Sequence, residues 1–248
     1  MADGGVAVVT GAGSGIGRAC ARALAARGLP VYCVGRRPEP LERTAEMIGE
    51  LATVVPADIG TEAGVASVRE AVSGEVRALV HAAAIEGVAS LAGTGRKEFD
   101  ELVGVNLGGP FFLTQALEPV FAEGAGVVFV GSIAAVRGRA RHAAYAATKA
   151  GLLGLTVNLA AELAPRVRVN CVNPGGVQTP MFEQAVAEVL GAMDEEEAAR
   201  TITAEQARML LGRIAEPEEL AASIVHLALD AGYCTGSVLA VDGGYTAR

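Results

Sequence analysis

The chain has 248 residues, 51% of them hydrophobic and 19% charged, and a formal net charge of −8. That length can bury a substantial core in one α/β domain, and the composition excludes a disordered chain. The acidic balance argues against a nucleic-acid or anionic-membrane surface, so neither nucleic acid nor membrane is expected as a partner.

Val6-Ala7-Val8-Val9 is an apolar run between glycines and reads as a buried parallel strand. The loop Thr10-Gly11-Ala12-Gly13-Ser14-Gly15-Ile16-Gly17 follows, then a helical pattern over 18–27 that stops at Gly28. Between a strand and a helix, such a loop is suited to a dinucleotide phosphate. Gly11 permits the tight turn, Gly15 lets the backbone approach the pyrophosphate, and Gly17 lets helix and sheet pack closely. The helix N-terminus then offers unpaired N–H groups to the anion.

The second strand, 31–34, ends at Gly35-Arg36-Arg37, with no acidic residue to hold a ribose 2′-hydroxyl. Arg36 and Arg37 suit the 2′-phosphate of NADP, the plainer reading being two solvated surface arginines. After a helix over 41–49, the third strand, 53–55, leads to Asp58. This aspartate either bonds the adenine amino group or, with Thr61, caps the next helix, 62–72. The fourth strand, 78–80, ends in His81-Ala82-Ala83-Ala84. Small residues there leave room for a flat cofactor ring, and His81 reads as a hydrogen-bonded strand-end histidine.

A long helical segment is expected over 99–121, with Asn106 inside it, a polar residue whose burial would demand partners. The fifth strand, 127–130, ends in Gly131-Ser132. A loop carrying Arg137, Arg139, Arg141 and His142 comes next, then the helix that holds Tyr145 and Lys149 and runs to 163 before Pro165. The sixth strand, 167–172, turns at Asn173-Pro174-Gly175-Gly176. The segment 177–213, with the acidic cluster Asp194-Glu195-Glu196-Glu197, is either a substrate lid or a solvated helical excursion. A helix over 217–229 and a strand over 238–241 lead to Asp242-Gly243-Gly244. No repeat or linker interrupts the chain, so 1–248 reads as one dinucleotide-binding and catalytic domain.

Cys20, Cys33, Cys171 and Cys234 are far apart and none has a metal-ligand spacing, so no metal is expected. Met1 opens on a polar stretch, with no basic region followed by a long apolar one and no run able to span a bilayer. The default is a cytoplasmic protein.

Tyr145 and Lys149, at i and i+4, share a helix face with Cβ atoms roughly 6 Å apart. A fixed cation at that distance favours phenolate, and bringing the phenol from about 10 to near neutrality takes about 4 kcal/mol. Such a phenol could exchange a proton at physiological pH. The spacing alone also fits a half-exposed tyrosine packed along a lysine stem.

Together the 10–17 loop, Asn106, Ser132, Tyr145-x-x-x-Lys149, Asn173-Pro174-Gly175, Thr179 and Asp242-Gly243-Gly244 make the chain resemble the short-chain dehydrogenase/reductase family over nearly its whole length. The resemblance implies one Rossmann-type, doubly wound parallel sheet of about seven strands with helices on both faces. It implies a homo-tetramer or homo-dimer assembled through the 99–121 and 145–163 helices. Tyr145 would be the acid/base, and Lys149 would bind the nicotinamide ribose and depress the tyrosine pKa. Ser132 would polarise the substrate oxygen, and Asn106 would hold a water of the proton relay. The implied cofactor contacts are Gly11, Ser14, Gly15, Ile16, Gly17, Arg36, Arg37, Asp58, Ile59, Ala83, Tyr145, Lys149, Pro174, Gly175, Val177 and Thr179.

Two positions depart from the family pattern. His81-Ala82-Ala83-Ala84 replaces Asn-Asn-Ala-Gly or similar, and Ser14 stands where many NADP-dependent relatives carry a basic residue. The reading is an NADP(H)-dependent oxidoreductase interconverting a secondary alcohol and a ketone. The alternatives are an NAD-dependent alcohol dehydrogenase or a nucleotide-sensing protein on the same fold. The arginine loop is either a clamp for an anionic substrate or a solvated surface.

Overall fold

The computed structural model describes residues 4–190, 200, 203 and 206–247. Seven strands form one sheet: β1 Val6–Thr10, β2 Val31–Gly35, β3 Ala52–Pro56, β4 Val76–His81, β5 Phe121–Val130, β6 Val167–Pro174 and β7 Val238–Val241. Their order is β3-β2-β1-β4-β5-β6-β7 and every pairing is parallel. Among the described residues the α-helices of eight residues or more are α1 Gly15–Ala26, α2 Pro38–Ile48, α3 Glu62–Ala71, α4 Arg96–Val103, α5 Gly109–Leu117, α6 Ala143–Leu163, α7 Pro180–Leu190 and α8 Pro217–Val225.

Alternation along the strands sorts the side chains into two cores. Ala7, Val9, Val31, Cys33, Ala78 and Val128 pack with α1 and α8 on one face. Val8, Tyr32, Leu79, Val127, Phe129 and Val169 pack with α3, α5 and α6 on the other. Both faces are covered, which is why the strands read as continuous apolar runs. After β3 the chain returns to place β4 on the other side of β1, and this reversal opens a crevice beyond the C-terminal strand ends.

The long helix expected over 99–121 is interrupted. It begins at Arg96, gives way to a π-helical turn at Gly104–Gly108, resumes as α5, and ends in a 3₁₀ turn at Glu118–Val120. Pro110 has no N–H to return to the Asn106 carbonyl four residues back, and the Gly109 N–H bonds Gly104 five residues back. β5 likewise starts at Phe121, six residues before the run that announced it, through an irregular register against β4. Among the described residues no helix is long and apolar enough to cross a membrane.

Candidate active site

The C-terminal ends of β1, β2, β4, β5 and β6 open on a cleft of about 680 Å³. Its floor is the glycine loop between β1 and α1. Gly11 has φ +68, and a Cβ on Gly17 would stand 2.2 Å from the Gly11 carbonyl oxygen. Gly11 therefore turns the chain and Gly17 lets α1 rest on that turn. A Cβ on Gly15 would meet Thr179 Cγ2 at 2.9 Å, so the loop approaches the far wall as closely as backbone can. The first turn of α1 carries no acidic side chain, and Ser14 makes no side-chain cap bond. The opening N–H groups are left for an anion, which fits a dinucleotide pyrophosphate.

Every residue expected to touch the dinucleotide lines this cleft, including Ser14, Ile16, Arg36, Arg37, Ile59, Ala83, Pro174, Gly175 and Val177. Of the two roles weighed for Asp58, the helix cap belongs to Thr61, whose hydroxyl accepts from the Gly64 N–H at 3.0 Å. Asp58 Oδ1 accepts from the Gly60 N–H at 2.9 Å, and the residue lines the cleft. Thr179 Oγ1 accepts from the Phe182 N–H at 3.2 Å as α7 begins.

Ser132, Tyr145 and Lys149 share the cleft. Asn173, at the end of β6, fixes the serine by accepting its N–H at 3.2 Å. Ser132 Oγ accepts from the Ala134 N–H at 3.1 Å, which leaves its own proton to donate. Lys149 is buried; its Nζ lies 5.8 Å from the Tyr145 ring centroid and donates to the Val130 carbonyl at 2.8 Å.

The electrostatics differ from the sequence expectation. Tyr145 is not lowered but pushed up to about 12: burial is the largest cause, the Glu86 charge adds to it, and hydrogen bonding with Ser132 opposes both. Burial also brings Lys149 down to about 8, with Cys171 pulling the other way. Stripping water from a phenolate outweighs one ammonium whose own charge is destabilised by the same burial.

Asn106 is buried in the π-helical turn. It does not line the cleft. Its Oδ1 accepts from the Ile85 N–H at 2.8 Å, and its Nδ2 donates to the Ile85 carbonyl at 2.9 Å and to Thr148 Oγ1 at 3.3 Å. Those bonds make it a clamp between the loop after β4 and α6, and its amide protons are engaged within the chain. His81 behaves as read: buried, 2.9 Å from Thr114 Oγ1 and stacked on Phe129, it is lowered by burial to about 3.

Arg137 and Arg139 line the cleft, whereas Arg141 does not and donates to the Val88 carbonyl at 3.5 Å. Arg137 donates to the Thr246 carbonyl at 2.7 Å. The described parts of 177–213 form one wall, with Met181, Phe182 and Met209 facing the cleft, while the 194–197 cluster lies outside the described residues. The sequence reading did not single out Glu86, Phe182 or Tyr245, all of which line the cleft. For Glu86 a signal existed: an acidic side chain two residues past a run of alanines at a strand end. Tyr245 carries none, because the turn that delivers it is built by buried Asp242, which accepts from Gly244 N–H at 2.9 Å and from Thr246 N–H at 2.8 Å.

A family model described as "Enoyl-(Acyl carrier protein) reductase" matches residues 11–246. The short-chain reductase protein NovJ of Streptomyces niveus is 38% identical over 249 residues, covering 96% of this chain and 93% of that protein. The cis-4-hydroxycyclohexanecarboxylate dehydrogenase of Sinomonas cyclohexanicum is 37% identical over 256 residues, covering 98% and 96%. Among solved structures, a candidate 2-deoxy-d-gluconate 3-dehydrogenase from Agrobacterium tumefaciens with bound NADP matches with a TM-score of 0.84 and 31% identity, covering 100% of this chain and 98% of that one.

Proposed function

The chain belongs to the short-chain dehydrogenase/reductase family and is an NAD(P)-dependent oxidoreductase; on that premise we propose that it uses NADP(H) to interconvert a secondary alcohol and a ketone, with Tyr145 as acid/base. The observation that carries this reading is the meeting of Ser132, Tyr145 and Lys149 in the cleft whose floor is the glycine loop. When bound, the nicotinamide supplies or accepts the hydride. Tyr145 gives its proton to the developing alkoxide, or takes one from the alcohol, and Ser132 donates to the same oxygen, where negative charge gathers in reduction. Lys149 holds a positive charge under the phenol and positions α6 through the Val130 carbonyl. Asn106 keeps the loop after β4 in place.

Support for NADP comes from Arg36 and Arg37, which border the cleft just past β2 and stand where an acidic residue would hold a 2′-hydroxyl. The NADP bound to the Agrobacterium relative agrees with this choice. Phe112 on α5 and Val157 on α6 are exposed large apolar side chains, which supports assembly through these helices as a homo-tetramer or homo-dimer. A cytoplasmic location completes the reading.

Titrating NADPH and NADH against the purified protein and then assaying ketones tests it. NADPH should bind at least about tenfold more tightly, and Arg37→Ala should erase the difference. Tighter NADH binding would select the NAD-dependent alternative, and cofactor binding without turnover of any ketone would select a sensing role.

A further inference from the structure

Glu86 lines the cleft, and neither the glycine loop nor the proposed proton transfer uses it as a donor or acceptor. Its backbone is held in place. Asn106 grips both polar groups of Ile85, the preceding residue, and the Ala89 N–H bonds the Arg141 carbonyl at 2.9 Å, stapling this loop to the one before α6. Opposite lies His142, buried, with Nδ1 2.8 Å from the Ala140 carbonyl. A carbonyl only accepts, so Nδ1 carries the proton and Nε2 presents a lone pair. Nε2 has no hydrogen-bond partner and lies 3.7 Å from Glu86 Oε1. Burial, with the charges of Arg139 and Arg141, lowers the His142 pKa and keeps the ring neutral.

Arg141, the residue that delivers His142, has φ +66, and among the described residues no other non-glycine residue has a positive φ. Such backbone strain gathers where a site is held in a required shape. The result is two acceptors edge to edge beside Tyr145. A carboxylate placed near a phenol opposes its ionisation, and a ligand donor that meets the carboxylate relieves that opposition. A carboxylate offers about four lone-pair sites, so a donor arriving from the cleft finds one whatever else Glu86 touches.

We propose that Glu86 is a specificity-determining residue whose carboxylate selects substrates bearing a hydrogen-bond donor, a hydroxyl or a protonated amine, close to the reacting carbon. This rests on the reading of the cleft as a carbonyl-reducing site and names the substrate class that site prefers. Arg137 and Arg139 line the same cleft, and a substrate with an anionic group further from the reacting carbon remains compatible with the proposal.

Three ketones matched in shape test it with NADPH: 2-hydroxycyclohexanone, 2-aminocyclohexanone and 2-methylcyclohexanone. The hydroxy and amino ketones should exceed the methyl ketone in kcat/KM by about tenfold or more. Glu86→Leu should remove both preferences, and Glu86→Gln, which keeps an acceptor but no charge, should remove chiefly that for the amine. Equal kcat/KM for all three ketones, or a preference that survives Glu86→Leu, overturns the proposal. If Glu86→Leu does not fold, the near-isosteric Glu86→Gln still decides the amine arm. Calorimetric titration of the NADP⁺-saturated protein with cyclohexane-1,2-diol and 2-methylcyclohexanol needs no turnover. Tighter diol binding that depends on Glu86 supports the subsite even if no ketone is reduced, a result that would sink the reductase reading alone; equal binding counts against the subsite.

Discussion

Lys149→Met isolates the energetics of the buried ammonium. Lys149 is 3% exposed, and burial brings it from the ordinary 10.5 to about 8. At about 1.4 kcal/mol per pH unit, that depression corresponds to about 3 kcal/mol. The unfolded chain keeps the lysine proton up to about pH 10.5, while the folded chain gives it up above about pH 8. Between those values the unfolded state binds more protons, so the Lys149 contribution to stability rises with pH. Tyr145, raised to about 12, and Cys33 and Cys171, each raised to about 11, act in the opposite sense, because the folded chain holds their protons longer. The raw pH dependence therefore mixes both, and the difference between the native chain and Lys149→Met separates them. Lys149 also pulls down the Cys171 thiol, so the pair is compared again in a Cys171→Ser background. Urea unfolding at pH 7 and pH 10.5 should show the native-minus-variant difference climbing by about 3 kcal/mol. A difference that stays flat across this interval would refute the desolvated ammonium.

Tyr145→Phe should lower turnover by about 10³ or more while the NADPH dissociation constant measured by fluorescence stays nearly unchanged, because it removes the transferable proton alone. Asn106→Ala strips partners from the Ile85 N–H, the Ile85 carbonyl and Thr148, and should cost about 2–4 kcal/mol in urea unfolding; a loss under about 0.5 kcal/mol would mean the clamp is idle. Gly17→Ala sets a Cβ 2.2 Å from the Gly11 carbonyl oxygen. NADPH binding should weaken at least about tenfold, and calorimetry with unchanged affinity would show that the turn can relax at no cost.

Much of this fold was legible because its strands are buried on both faces. Runs such as Val6-Ala7-Val8-Val9 and Val127-Val128-Phe129-Val130 need no alternation to be recognised, and the glycines and Asn173-Pro174 punctuate them. The cofactor cradle was legible for the same local reason, since Gly11 and Gly17 act through a contact six residues apart. What escaped was decided by tertiary partners. The π turn at Asn106 is where Pro110 deprives a carbonyl of its donor and Ile85 supplies other bonds, and an apolar periodicity over 99–121 contains neither fact. The side-chain bonds of Asn106 were not legible locally because its partners, Ile85 and Thr148, lie 21 and 42 residues away in sequence.

The Tyr145–Lys149 pair shows the deeper limit. Spacing gives the distance between two side chains and says nothing of the water removed around them. Here the removal acts on both: it raises the phenol and lowers the ammonium, so the pair weakens the very charge separation its spacing suggests. Glu86 adds to the effect, and hydrogen bonding with Ser132 works against it. With its pKa near 12 the phenol is protonated throughout the physiological range, which equips the free protein to give a proton to a nascent alkoxide. Alcohol oxidation needs the phenolate instead, and at pH 9 forming it costs about 4 kcal/mol. A substrate donor or cation that neutralises Glu86 lowers that cost at the moment of binding. The residue proposed to choose the substrate is thus also one that sets the strength of the acid beside it, and the ascending limb of the oxidation pH profile should move to lower pH in Glu86→Gln.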